Sequence, residues 1–189
     1  MPKEISPKTI KSDANMAIAS SLKNKFSSND ISLEPLCKEH LRSFAPLLQA
    51  QDRAEMWASY RLAVEEALEY CRRRSAVAVA FLYRGEVCAV SGVEADSLLG
   101  NRGSLWSWTG EKVKQCPKAF WQISRRVLQY FLSLYPHLYV LCDARYAAAQ
   151  RYVERLGGAR QTDEIYLAGP ETRFVLYQFH RPSDGIKIQ

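Results

Sequence analysis

The chain has 189 residues with 26 Lys and Arg against 20 Asp and Glu, a formal net charge of +6, and 47% hydrophobic residues. That length gives one domain with a sizeable core, and the composition is that of an ordinary globular protein. It excludes a spanning helix, since no apolar run approaches the roughly 20 residues that cross a bilayer, and the start of the chain has no apolar segment of a secretory signal. The five scattered cysteines and three histidines contain no CxxC pair and give no disulfide framework or metal-ligand pattern.

Residues 1–30 are rich in Ser, Lys and Asn, with Met16-Ala17-Ile18-Ala19 and Leu22 as their main apolar content. They read as an arm, flexible alone or ordered against a partner. The domain proper is expected over residues 31–180, with residues 181–189 as a C-terminal tail. Ile31-Ser32-Leu33-Glu34-Pro35-Leu36 alternates as a half-buried strand should. Leu41, Phe44, Leu47 and Leu48 follow at helical spacing. A second helix is predicted over residues 54–73, carried by Trp57, Leu62, Val64, Ala67, Leu68 and Cys71, with a break near Ser59. Arg72-Arg73-Arg74 closes it where cations complement the helix dipole. The positive charge favours anionic partners, yet no nucleic-acid motif accompanies it and nucleic-acid binding is not expected.

Two β-rich runs, residues 76–83 and 86–93, meet at a tight Arg84-Gly85 turn. Asp96 to Gly103 is read as a loop, and Leu105 to Gly110 as the next strand. Pro117 opens a helix at the position where its missing N–H costs nothing, and Tyr135-Pro136 ends it. The strand Leu138 to Cys142 leads through Asp143, expected to cap the next helix, to a stop at Leu156-Gly157-Gly158. Strands at residues 159–167 and 173–179 flank the turn Ala168-Gly169-Pro170. The order β-α-α-β-β-β-α-β-α-β-β gives an α/β (α+β) fold, a mixed sheet covered by helices.

Over residues 31–179 this order resembles the GNAT acetyltransferase superfamily, and more closely the small GNAT-like proteins of tailed phages, which include an internal virion protein of short-tailed phages. The resemblance is carried by Gln51-Asp52-Arg53-Ala54-Glu55, Ala89-Val90-Ser91-Gly92-Val93, Leu105-Trp106-Ser107-Trp108-Thr109, the segment from Cys116 to Arg126, Tyr135-Pro136-His137-Leu138, Asp143-Ala144-Arg145 and Leu156-Gly157. It implies a mostly antiparallel sheet with a central splayed parallel pair, Leu105–Gly110 and Leu138–Cys142. The exposed strand edges would pair with the pantetheine arm of acetyl-CoA like an added strand, with Trp108, Thr109 and Gly110 facing it. Gln115, Lys118, Ala119 and Phe120, at the following helix start, would take the phosphates. No metal is expected.

The chain departs from the family pattern at the chemistry. Where GNAT enzymes show [RQ]-x-x-G-x-[GA], it reads Glu111-Lys112-Val113-Lys114-Gln115-Cys116-Pro117-Lys118-Ala119-Phe120, without a glycine after Gly110. The tyrosine that protonates the leaving thiolate in many family members corresponds to Val153, and Tyr152 stands one position away, about 100° round the helix. Tyr146 replaces the usual Asn, and Gly158 the usual aromatic. By analogy Glu94, Asp96 and Glu111 are the carboxylates nearest an incoming amine, with surface charge as their ordinary reading, so the catalytic candidates are Glu94, Glu111 and Tyr152. Trp106 and Trp108 read as core or pocket wall.

Two functions follow from the resemblance. One is a virion-associated or host-interaction component with a degenerate acetyltransferase site, docking a virion or host protein through the N-terminal arm. The other is an acyl-CoA-dependent N-acyltransferase acting on an unidentified amine. The expected location is the host cytoplasm or the interior of a phage particle.

Overall fold

Two neighbouring residues with positive φ fix the first hairpin: Arg84 at 51° and Gly85 at 81°. This is the pairing that a two-residue turn requires when both central positions are left-handed. The computed structural model describes residues 31–96, 100–167 and 172–181. Strand β1 (Ile31–Pro35) leads to α1 (Lys38–Phe44) and a short 3-10 turn, Ala45–Leu47. Helices α2 (Ala50–Tyr60) and α3 (Val64–Arg74) follow, then β2 (Val77–Tyr83), β3 (Glu86–Ala95) and β4 (Arg102–Thr109). A second 3-10 turn, Glu111–Gln115, precedes α4 (Pro117–Leu134), β5 (His137–Asp143), α5 (Ala147–Arg155), β6 (Ala159–Tyr166) and β7 (Arg173–His180).

The strands form one seven-stranded sheet in the order β1-β2-β3-β4-β5-β7-β6. Among the described pairings only β4 and β5 run parallel. The expected mixed, mostly antiparallel sheet with one central parallel pair is therefore present. Among the described residues no helix is long and apolar enough to cross a membrane.

Strand alternation sorts the apolar side chains to two faces. One face packs Leu33, Phe81, Val93, Leu138 and Phe179 against Phe120, Ile123, Val127 and Phe131 of α4. The other packs Val90, Trp106 and Trp108 against Leu41, Phe44, Met56 and Leu68 of α1 to α3. Each fully buried side chain of this size contributes about 1.5–3 kcal/mol of transfer free energy, so both faces are committed to helices over most of the sheet. Trp106 adds a buried polar tie, its indole N–H donating to Ser75 Oγ at 2.9 Å.

The helical segment after residue 50 is broken, as expected, into two helices; the break falls at Arg61, whose φ of 55° ends α2 in the left-handed region. The structure departs from the sequence reading in two places. Strand β4 begins at Arg102, because Gly103 is a strand residue and not a loop glycine: a Cβ there would lie 2.5 Å from Val93 Cγ1 and 3.0 Å from the Glu94 carbonyl. Asp143 does not cap α5. Tyr146 is the N-cap without a side-chain bond, while Asp143 Oδ1 accepts from the Arg145 backbone N–H at 2.8 Å. The expected N-terminal arm (residues 1–30), the turn at residues 168–170 and most of the C-terminal tail (182–189) lie outside the described residues.

Close packing also gives a prediction. A Cβ on Gly92 would meet Trp106 Cζ2 at 2.7 Å and the Val77 carbonyl oxygen at 2.8 Å. The latter is backbone and cannot rotate away. Gly92→Ala should destabilise by about 1–3 kcal/mol, read as a fall in melting temperature of roughly 2–4 °C for each kcal/mol. An unchanged melting temperature would contradict this packing.

Candidate functional site

Strands β4 and β5 share register partners only from Arg102–Ser104 and His137–Tyr139. Beyond that point β4 stays paired with β3 as far as Thr109, and β5 stays paired with β7 as far as Asp143. Each strand follows its antiparallel neighbour, and the twist of the sheet carries them apart. The gap opens backbone groups of Thr109 on one side and Asp143 on the other.

Helix α2 fills the mouth of that gap. Gln49 at its N-cap, Asp52 and Glu55 recur every three residues and lie on one face. The Gln49 backbone N–H donates to the Thr109 carbonyl at 3.0 Å, and its side-chain amide donates to Thr109 Oγ1 at 2.9 Å and to the Gly110 carbonyl at 3.3 Å. Asp52 Oδ1 accepts the Thr109 N–H at 3.0 Å, and Oδ2 accepts the Thr109 hydroxyl at 3.0 Å and the Tyr146 hydroxyl at 3.2 Å. On the far strand, Glu55 Oε1 accepts the Asp143 N–H at 3.0 Å. One helix thus hydrogen-bonds both edges of the splay.

These carboxyls are buried, Asp52 at 5% and Glu55 at 8% exposure. Burial pushes Asp52 up, against the lowering pull of its bonds from Thr109 and Tyr146. Burial raises Glu55 to about 8, and the neighbouring Asp52 and Asp143 charges push the same way, opposed by the Asp143 N–H. Asp143 goes down, because Arg145 bonds to its carboxylate. Near neutral pH the site therefore holds a largely protonated Glu55 beside an ionised Asp143.

The helix-start segment is also occupied from within. The Val113 N–H donates to the Gly110 carbonyl and the Cys116 N–H to the Val113 carbonyl, each at 3.2 Å. The Phe120 N–H donates to the Cys116 carbonyl at 2.8 Å. Lys112 pairs with Glu86, and Lys114 with Glu111. Gln115 and Lys118 are exposed, while Ala119 packs against the α4 core. Phe120 is buried, its ring 5.6 Å from Phe81, and it stacks on Tyr152 of α5 at 5.9 Å. Trp121 meets Tyr152 edge-on at 5.6 Å. These contacts join the start of α4 to α5.

The other expected site residues fall as follows. Glu94 is register partner to Ser104 and pairs with Arg74, five residues and about 17 Å along β4 from Thr109. Asp96 lies at the same end, accepting the Tyr139 hydroxyl at 2.9 Å. Glu111 is exposed beside Lys114, and its charge reaches Tyr146. Tyr152 is pushed up to about 12 by burial, against a lowering pull from Ser124. Trp108 places its indole in the core under α1 to α3, with its ring 6.3 Å from Tyr60. Gly110 gives its N–H to the Cys88 carbonyl at 2.8 Å. The structure thus brings Thr109 and Gly110 to the splay and leaves Glu94 outside it. Sequence reasoning misses Gln49 altogether and takes Asp52 and Glu55 only as carriers of the resemblance, not as site residues. Their signal was two acidic residues three apart on the helix face that also carries the buried Met56.

No family model matches the chain, and no curated protein matches it. Solved structures do. A GCN5-related N-acetyltransferase from Brucella melitensis is 13% identical with a TM-score of 0.61, over 82% of this chain and 78% of that one. The ribosomal-protein alpha-N-acetyltransferase RimL, solved with coenzyme A, is 15% identical with a TM-score of 0.62, over 81% and 95%. The microcin self-immunity acetyltransferase MccE, solved with acetyl-CoA and AMP, is 11% identical with a TM-score of 0.57, over 81% and 93%. These likenesses show that the chain has the GNAT fold. As they stand, its residues do not fit a pantetheine arm at the open end of the splay, where the Thr109 N–H and C=O and the Asp143 N–H are already bonded to α2.

Proposed function

We propose, from the GNAT fold as premise, that this chain is a binding component and not a catalyst: a virion-associated or host-interaction protein whose acetyltransferase cleft has become structural. The observation that carries the reading is the bonding of both splayed strand edges to Gln49, Asp52 and Glu55 of one helix. A cofactor that binds by adding a strand would have to displace buried, hydrogen-bonded carboxyls, each costly to leave unpaired. The glycine-free helix start and the stacked rings of Phe120 and Tyr152 support the same reading. The phage setting rests on the sequence resemblance, and the partner contact is assigned to residues 1–30.

Two assays test this. Incubated with acetyl-CoA and a panel of primary amines, the protein should release thiol no faster than the buffer blank. A chain lacking residues 1–30 should keep its melting temperature and lose association with its particle or host partner. Turnover, or undiminished association of the truncated chain, would contradict the proposal.

A second reading has one observation in its favour. Glu55, held near 8 at the mouth of the splay, is tuned as a general base would be for an ammonium. If the chain is an N-acyltransferase, Glu55 removes the amine proton. The rate should then rise from pH 7 to pH 9 and fall by roughly 100-fold or more in Glu55→Gln.

A further inference from the structure

At the paired end of β4 and β5, opposite the splay, three strands set one row of basic side chains side by side. Arg102 of β4 is the register partner of His137 of β5, which is the register partner of His180 of β7. Register partners lie on one face of a sheet. The next row, Leu138 and Phe179, points into the α4 core, so Arg102, His137 and His180 face the other side. There they line a cavity of about 330 Å³ with Tyr139 and Gln178. That volume lies at the lower end of small-molecule sites.

The two imidazoles are exposed, with their Nδ1 atoms 2.9 Å apart and ring centroids separated by 5.2 Å. At that separation one Nδ1–H donates to the other ring's lone pair, and the pair satisfies itself. Histidine changes charge between about pH 5 and 8. Once both rings are fully protonated, two N–H donors face each other and repel. An oxygen anion placed between them accepts from both, and the Arg102 fork supplies further donors.

Among the described residues Arg102 pairs with Asp96, at 3.8 Å, and lies 5.9 Å over the Tyr139 ring. Tyr139 donates its hydroxyl to Asp96, and Glu94 is paired with Arg74. Arg181, following β7, is spent on the Leu132 and Ser133 carbonyls.

We propose that Arg102, His137 and His180 form a proton-gated site for a small oxyanion, a carboxylate or a phosphate ester. The site is separate from the splay and stands whether or not the cleft is catalytic.

The test follows the imidazole resonances of the full chain during titration with sulfate, which stays a dianion across the range, and with acetate. At about pH 5.5 sulfate should shift the His137 and His180 rings saturably, and binding should weaken at least about ten-fold by pH 8. His40, on α1, serves as the internal control. Arg102→Gln should weaken binding by about ten-fold, the loss expected for one charge-assisted contact; His180→Gln should reduce the pH dependence, and the double variant His137→Gln with His180→Gln should abolish it. All three side chains are exposed, so melting temperatures should hold in these variants. Saturation by sulfate alone identifies a phosphate-type ligand, and saturation by acetate as well identifies a carboxylate. Absence of saturation with either probe, equal binding at both pH values, or equal shifts at His40 would overturn the proposal.

Discussion

Glu55→Gln is expected to make the protein more stable at pH 8 and nearly unchanged at pH 5. Burial holds the Glu55 carboxyl near 8 in the folded chain, against an ordinary value of 4.5. Between those two values the folded state keeps a proton that the unfolded state has lost. Stability therefore falls as pH rises through that window and levels off above it. Glutamine cannot ionise, yet its amide oxygen can still accept the Asp143 N–H that Glu55 accepts at 3.0 Å. The two proteins should diverge by about 2–4 kcal/mol at pH 8, somewhat less than the full shift implies because a buried site relaxes. In a chain of this size that is roughly 4–16 °C in melting temperature. Asp52, also raised by burial, leaves a residual slope in the variant. Parallel stability curves for the two proteins from pH 5 to pH 8 would contradict the account.

Asp52→Ala should have the opposite sign and a larger size. Asp52 accepts three bonds, from the Thr109 N–H, the Thr109 hydroxyl and the Tyr146 hydroxyl. Alanine leaves these donors without their acceptor at a part-buried site, and each group left unsatisfied costs about 1–3 kcal/mol. Some relief comes from rotation of the two hydroxyls, so the expected loss is about 3–5 kcal/mol in denaturant or thermal unfolding. Asp52→Asn keeps an acceptor for the Thr109 N–H and should lose about half as much. A loss under about 1 kcal/mol for alanine would mean that α2 does not hold the splay closed.

The parts of the fold that obey a single periodicity were legible in the sequence. Alternation marked β1, two β-rich runs marked β2 and β3, Arg84-Gly85 marked their turn, and Pro117 with Tyr135-Pro136 bounded α4. Gly103 misled because glycine signals a loop as readily as a close approach between strands, and only the neighbouring Val93 side chain decides between them. Asp143 misled for a related reason. Asp before a helix reads as a cap, but Arg145 two residues on takes its carboxylate.

The site itself was legible in outline and not in occupancy. The splay of β4 from β5 is what the family resemblance implies, and Thr109 and Gly110 stand at its open end, against α2. What fills it comes from residues 57 to 94 positions away in the chain, and no local pattern announces that Asp52 bonds to Thr109 or to Tyr146. The absent glycine after Gly110 was visible from the start. The internal bonding of the 3-10 turn that stands there, with the Val113 and Cys116 amides already paired, was not.

Calorimetric titration of the full chain with acetyl-CoA tests the central claim most directly. If Gln49, Asp52 and Glu55 bond the strand edges as the cofactor would, titration to millimolar ligand gives only heat of dilution. Saturable binding in the micromolar range, one ligand per chain, would show that α2 yields its place to acetyl-CoA and that the cleft still works as an acyl-CoA site.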